Sequence, residues 1–87
     1  TAHACALGQA SAAILRLHAP GSDLSAIASM RGRVAQALVS DDDMPVDWPE
    51  LAFLSAASKH TSRHGAILLP YDALLAAAET ARNKADA

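Results

Sequence analysis

With 87 residues, a net charge of −2 and three aromatic side chains (Trp48, Phe53 and Tyr71), the chain has room for one small domain over residues 1–87 and no more. Seven Lys and Arg against nine Asp and Glu leave no basic patch for nucleic acid, and so few aromatics offer no platform for stacked bases. The single cysteine, Cys5, excludes an intrachain disulfide, and no apolar run reaches the roughly 18 residues of a membrane span.

No basic stretch precedes an apolar core at the N-terminus, so no signal peptide is read there. The chain reads as soluble and cytoplasmic. Its start at Thr1, without an initiator Met, reads as a processed or trimmed piece.

Alanine and leucine dominate and strict alternation is absent, which favours helix over strand. The first stripe, Leu7, Ala10, Ile14 and Leu17, predicts a helix from about Ala6 to His18. Gly8 weakens its first turn, and Pro20-Gly21 stop it. Ser22 or Asp23 is placed to cap a second helix, whose stripe is Leu24, Ile27, Met30, Val34 and Leu38. Arg31, Arg33 and Gln36 lie off that stripe. Asp41, Asp42 and Asp43 repel one another and predict a solvated loop. Their adjacency lacks the alternate spacing of a calcium loop.

Asp47-Trp48-Pro49-Glu50 reads as a helix start, with Asp47 as cap and Glu50 reaching back as in a capping box. This short helix runs to about Ala57, with Leu51 and Leu54 inward and Trp48 packed at its start. Thr61 or Ser62 caps the last helix, whose stripe is Ile67, Tyr71, Leu74 and Ala78, with Leu68 and Leu75 beside it. Pro70 removes one backbone bond there, yet the three-four phase continues across it, so a kinked single helix is expected. The pattern is therefore mainly α: about four helices near residues 6–18, 23–40, 48–57 and 62–83, with no sheet beyond a strand remnant at 1–4.

Two segments resemble the NifU/IscU/SufU-like family of iron–sulfur cluster assembly scaffolds. One is Cys5-Ala6-Leu7-Gly8-Gln9-Ala10-Ser11-Ala12. In that family a cluster-ligand cysteine ends a strand and opens a helix that starts with small residues and contains Ala-Ser. The other is LSAASKHTSRHGAILLPYDAL, from Leu54 to Leu74. It is similar to the segment that carries a third ligand cysteine at the start of the last helix. Arg63, Ala66, Leu68 and Ala73-Leu74 match the family's spacing around that cysteine. The resemblance implies the C-terminal helical portion of an α+β NifU-like (SufE/IscU-type) domain, whose antiparallel sheet is missing here.

The function so implied is an iron–sulfur cluster assembly scaffold or sulfur acceptor, and not an enzyme. Cys5 would be the cluster or metal ligand or the sulfur acceptor. His64 would be a second, weak metal ligand, since in IscU-type members a histidine precedes the third cysteine. Gly65 stands where that cysteine would be. The cargo would be an iron–sulfur cluster or zinc held transiently, or none at all in this chain. Two soft ligands fall short of the four that tetrahedral zinc takes. The partners implied are a cysteine desulfurase and apo-acceptor proteins. The rival reading is a non-metal helical protein-interaction module that keeps only the scaffold fold.

Taken by themselves, these residues leave both alternatives open. Cys5 is either a thiolate activated at a helix N-terminus or a buried structural thiol. His64 is either a ligand or a polar first-turn residue. His60 falls outside the last helix, and His3 and His18 have no companion pattern and are expected to be exposed. Ser11 has no nucleophile elbow around it. With the sheet missing, the stripes Leu7/Ile14/Leu17, Ile27/Val34/Leu38 and Ile67/Leu74 are not all expected to be covered by four short helices. Self-association, or cover by an upstream segment, is expected to follow.

Overall fold

The computed structural model describes residues 2–86, with the side chains of residues 6–55 and 57–84. Every regular element among them is helical: α1 (Ala2–His18), a 3₁₀ turn (Ala19–Gly21), α2 (Leu24–Ser40), a long 3₁₀ helix (Pro49–Lys59), a second 3₁₀ turn (Thr61–Arg63) and α3 (His64–Asp86). The expected strand remnant at 1–4 is corrected for residues 2–4: α1 already includes Ala2, His3 and Ala4, and alanine is the strongest helix former. Thr1 lies outside the described residues.

Pro20-Gly21 end α1 as expected. The Ser22 hydroxyl donates to the His18 carbonyl and satisfies one of the free acceptors at that helix end. Asp23 caps α2, its carboxylate accepting from the Ala26 N–H at 2.7 Å. At the other end Asp41 adopts the left-handed conformation (φ 55°, ψ 35°), and its N–H and that of Asp42 both turn back to the Ala37 carbonyl.

The third helix differs from an α-helix for a reason visible in its side chains. Trp48, Leu51, Leu54 and Ala57 are all buried, at a strict spacing of three. With 3.6 residues per turn, such a stripe drifts around the axis by about 60° per step. With three per turn it stays straight and all four residues face the core. The expected capping box is absent. No side chain caps this helix, Asp47 is bonded to Arg33, and Glu50 is bonded to His18. Thr61 and Ser62 do not cap α3 either. They form a 3₁₀ turn that runs into it.

The core gathers residues from all four helices, among them Ile14, Ile27, Val34, Leu38, Leu51, Leu54, Ile67 and Tyr71. The helices cover most of the stripes by themselves but, as expected, not all of them. Leu7 and Leu74 are half-buried, and Leu17 is left 63% exposed. On α1 the buried face runs through Ser11, Ile14 and Leu15 rather than through Ala10 and Leu17. That shift puts Ser11 and His18, seven residues apart, on the inward side.

α3 passes through Pro70 as one helix. It runs in the same direction as α1. Gly8 lies against Ala66, Ser11 is bonded to Ile67, and Leu15 and Ala19 line a groove with Pro70 and Leu74. Arg31–Asp72 ties α2 to α3, and Arg33–Asp47 ties α2 to the following loop.

Candidate functional site

The register of α1 against α3 fixes where the sequence-predicted ligands stand. Gly8 meets Ala66, so the turn carrying Cys5 lies at the same end of the helix pair as His64 and Gly65. Cys5 is inside the first turns of α1 and does not open the helix, which starts at Ala2. Its side chain, like that of His3, lies outside the described residues.

His64 is half-buried, and its Nε2 lies 3.1 Å from the Ser58 carbonyl oxygen. A carbonyl only accepts, so the proton is on Nε2. The ring is thereby tied to the end of the long 3₁₀ helix, and Nδ1 is the nitrogen left for a metal. A Cβ on Gly65 would meet nothing within 4 Å, so this position opens on free space. Among the described residues no group of three or more His, Cys, Asp or Glu side chains is placed to hold a metal ion. His60 is exposed and sits between the two 3₁₀ segments, apart from the helix that bears His64.

A second polar cluster occupies the opposite end of α1. His18 is half-buried rather than exposed, a correction to the reading from sequence. Its Nε2–H donates to Glu50 Oε1 at 2.7 Å. Its ring stacks on Trp48 with centroids 4.7 Å apart and planes 7° from parallel, and Trp48 stacks in turn on Tyr71 at 6.2 Å. The His18 hydrogen bond holds the Glu50 carboxyl below the usual carboxylate range. Tyr71 is fully buried, its hydroxyl has no hydrogen-bond partner among the described residues, and burial pushes its ionisation up to about 12. This stack joins α1, the long 3₁₀ helix and α3. Its signal in the sequence was His18 lying seven residues beyond Ser11 on the face that also carries Ile14.

Ser11 is fully buried, and its hydroxyl donates to the Ile67 carbonyl at 2.6 Å. With that proton committed to a backbone acceptor, Ser11 is a helix–helix tie.

The fold and its polar clusters define, over the described residues, a small all-helical domain in which α1 and α3 run side by side in the same direction. No helix is long and apolar enough to cross a membrane among the described residues. Comparison with protein-family models, with curated proteins and with solved structures gave no match to any of them.

Proposed function

We propose that the chain is the helical part of an iron–sulfur cluster assembly scaffold or sulfur acceptor of the NifU/IscU/SufU type, with Cys5 as the sulfur-bearing or ligating residue and His64 beside it. The observation that supports this reading is the shared end of α1 and α3, where the Cys5 turn stands next to the start of the last helix. Cys5 is the fourth residue of α1, close to the helix end that favours negative charge, and a thiolate is both the metal-binding and the sulfur-accepting form of cysteine. A persulfide or a soft metal ion is the cargo that this end would take. The donors would be a cysteine desulfurase and the recipients apo-acceptor proteins.

Sulfur transfer tests the proposal. The chain is incubated with a cysteine desulfurase and L-cysteine, and intact mass is read without reductant. The expected result is the gain of one sulfur atom, abolished in Cys5→Ser. A chain that gains none, under conditions where another acceptor does, loses the proposal.

The rival reading, a helical interaction module without metal chemistry, is favoured by Val46 and Phe53, each 84% exposed. Self-association belongs to both readings. It would rest on the groove of about 490 Å³ between the C-terminal half of α1 and the N-terminal half of α3, floored by Leu15 and Leu74, with Leu17 close by on α1. Light scattering at micromolar concentration decides it: a dimer is expected, and a monomer for Leu74→Arg. A monomeric wild-type chain removes self-association from the reading.

A further inference from the structure

The segment between α2 and the long 3₁₀ helix carries chemistry that neither Cys5 nor the aromatic stack uses. The 3₁₀ helix has three faces, because its side chains repeat every three residues. One face is core. A second begins with Glu50, which turns to His18. The third is Pro49, Ala52 and Ser55, and with Met44, Pro45 and Val46 it walls a cleft of about 350 Å³. The lining is mostly apolar, with Val46 standing at its edge almost fully exposed.

Asp43 also lines this cleft, and Asp42 and Asp43 line a second, more polar one on the α2 side. The acidic run is therefore a ridge between two clefts. Asp41 is engaged by the Ser58 hydroxyl, and Arg33 is engaged by Asp47. Among the described residues no Lys or Arg forms an ion pair with Asp42 or Asp43. An apolar cleft beside two uncompensated carboxylates is the complement of one kind of partner surface. Long-range attraction would come from the carboxylates, and short-range affinity from an apolar side chain leaving water.

We propose that the cleft formed by Met44, Pro45, Val46, Pro49 and Ala52, with Asp42 and Asp43 on its rim, is a docking site for a basic segment of a protein partner, one of whose apolar side chains fills the cleft. The site is independent of any metal or sulfur chemistry at Cys5. It is a rigid feature on one side, since the 3₁₀ helix is held by Trp48, Leu51 and Leu54 in the core. On the other side it is an accessible loop, as recognition surfaces often are.

The test uses the full chain, labelled with nitrogen-15, and two synthetic peptides, Lys-Lys-Leu-Leu-Lys-Lys and its Ser-Ser-centred counterpart. Amide shifts on titration are expected to cluster between Asp42 and Ser55. The leucine peptide is expected to bind about ten-fold more tightly than the serine peptide, the difference of burying apolar side chains. Asp42→Lys with Asp43→Lys should weaken the leucine peptide by a similar factor. Ala52→Leu, which fills the cleft without changing charge, should remove the preference for leucine over serine. Circular dichroism confirms that each variant keeps its helices. Equal binding of the two peptides, shifts centred on the α1–α3 groove instead, or indifference to Ala52→Leu would overturn the proposal and leave only bulk attraction between opposite charges.

Discussion

The Ser11 hydroxyl donates to the Ile67 carbonyl, three residues before Pro70 on α3. Proline has no N–H, so the Ala66 carbonyl loses its usual donor four residues on, and the ring crowds that turn. α1 presents small residues at this place. Gly8 lies against Ala66, and Ser11 reaches the next carbonyl. Removing the hydroxyl in Ser11→Ala leaves a buried acceptor with less compensation, and urea unfolding should show a loss of about 1–2 kcal/mol. Gly8→Ala should act in the opposite sense. Its Cβ would sit 3.5 Å from the Ala66 oxygen, an ordinary contact, and the helix gains up to about 1 kcal/mol in propensity. A destabilised Gly8→Ala would mean that the helices are closer than described.

Tyr71 carries the opposite imbalance, a buried hydroxyl with no partner among the described residues. Tyr71→Phe keeps the ring that stacks on Trp48 and removes the unsatisfied group. Stability should be unchanged or rise by about 1 kcal/mol. The same burial gives a sign at alkaline pH. The folded-state ionisation is raised to about 12, whereas the unfolded chain ionises near the ordinary tyrosine value. Stability that is fully present below that ordinary value should therefore be lost as pH rises towards 12, and this loss should be smaller in Tyr71→Phe. Denaturant midpoints measured across the alkaline range, wild type against variant, check it.

On the acid side two carboxylates, exposed Asp47 and partly buried Glu50, act in the other direction. Asp47 is held below its usual range by the hydrogen bond from Arg33, and Glu50 by the one from His18. A depressed folded-state pKa stabilises above the unfolded value and is lost as pH falls through the folded one. Both groups lie at the surface, so the effect is small and weakens with salt. Asp47→Asn and Glu50→Gln should each flatten the fall in stability below about pH 5. Glu50→Gln should also change Trp48 fluorescence, because the only tryptophan is stacked on the imidazole that Glu50 holds. An unaltered emission spectrum would mean that the ring stays on Trp48 without its carboxylate.

The helices were legible in the sequence because their apolar stripes and their stops are local. Ile27, Met30, Val34 and Leu38 gave α2, and Asp23 its cap. Period three in Trp48, Leu51, Leu54 and Ala57 was present as well. Four residues cannot distinguish a straight 3₁₀ stripe from a drifting α one without knowing which of them are buried. Asp47 and Glu50 have capping-box spacing, but tertiary partners on α2 and α1 claimed their side chains first. His18 and Ser11 were missed for a common reason. A polar residue on an apolar face looks exposed until its partner, 32 or 56 residues further on, is known. The candidate ligand end is legible only as two local signals, Cys5 and His64-Gly65. That both fall at the same end of the helix pair depends on α1 and α3 running in the same direction, which no local pattern encodes.

The proposed pairing of Cys5 with His64 yields a direct prediction for metal. Wild-type chain offers zinc Cys5 and one nitrogen of His64, whose other nitrogen is bonded to Ser58. Tetrahedral zinc takes four ligands, so retention through desalting should be weak or absent. Gly65→Cys adds a thiol one residue beyond His64. Its Cβ meets no neighbour within 4 Å, so the substitution displaces nothing. Affinity measured by competition with a chromogenic chelator should rise roughly ten-fold or more, because thiolate is the preferred soft donor. Cys5→Ser in that background should cancel the gain, since the effect requires both helix ends. Helicity by circular dichroism separates a failed site from a failed fold. If Gly65→Cys keeps its helices and gains no affinity, position 65 does not correspond to the third ligand of a scaffold. If wild-type chain instead holds one tight zinc that survives Cys5→Ser, the metal lies elsewhere and both halves of the assignment are lost.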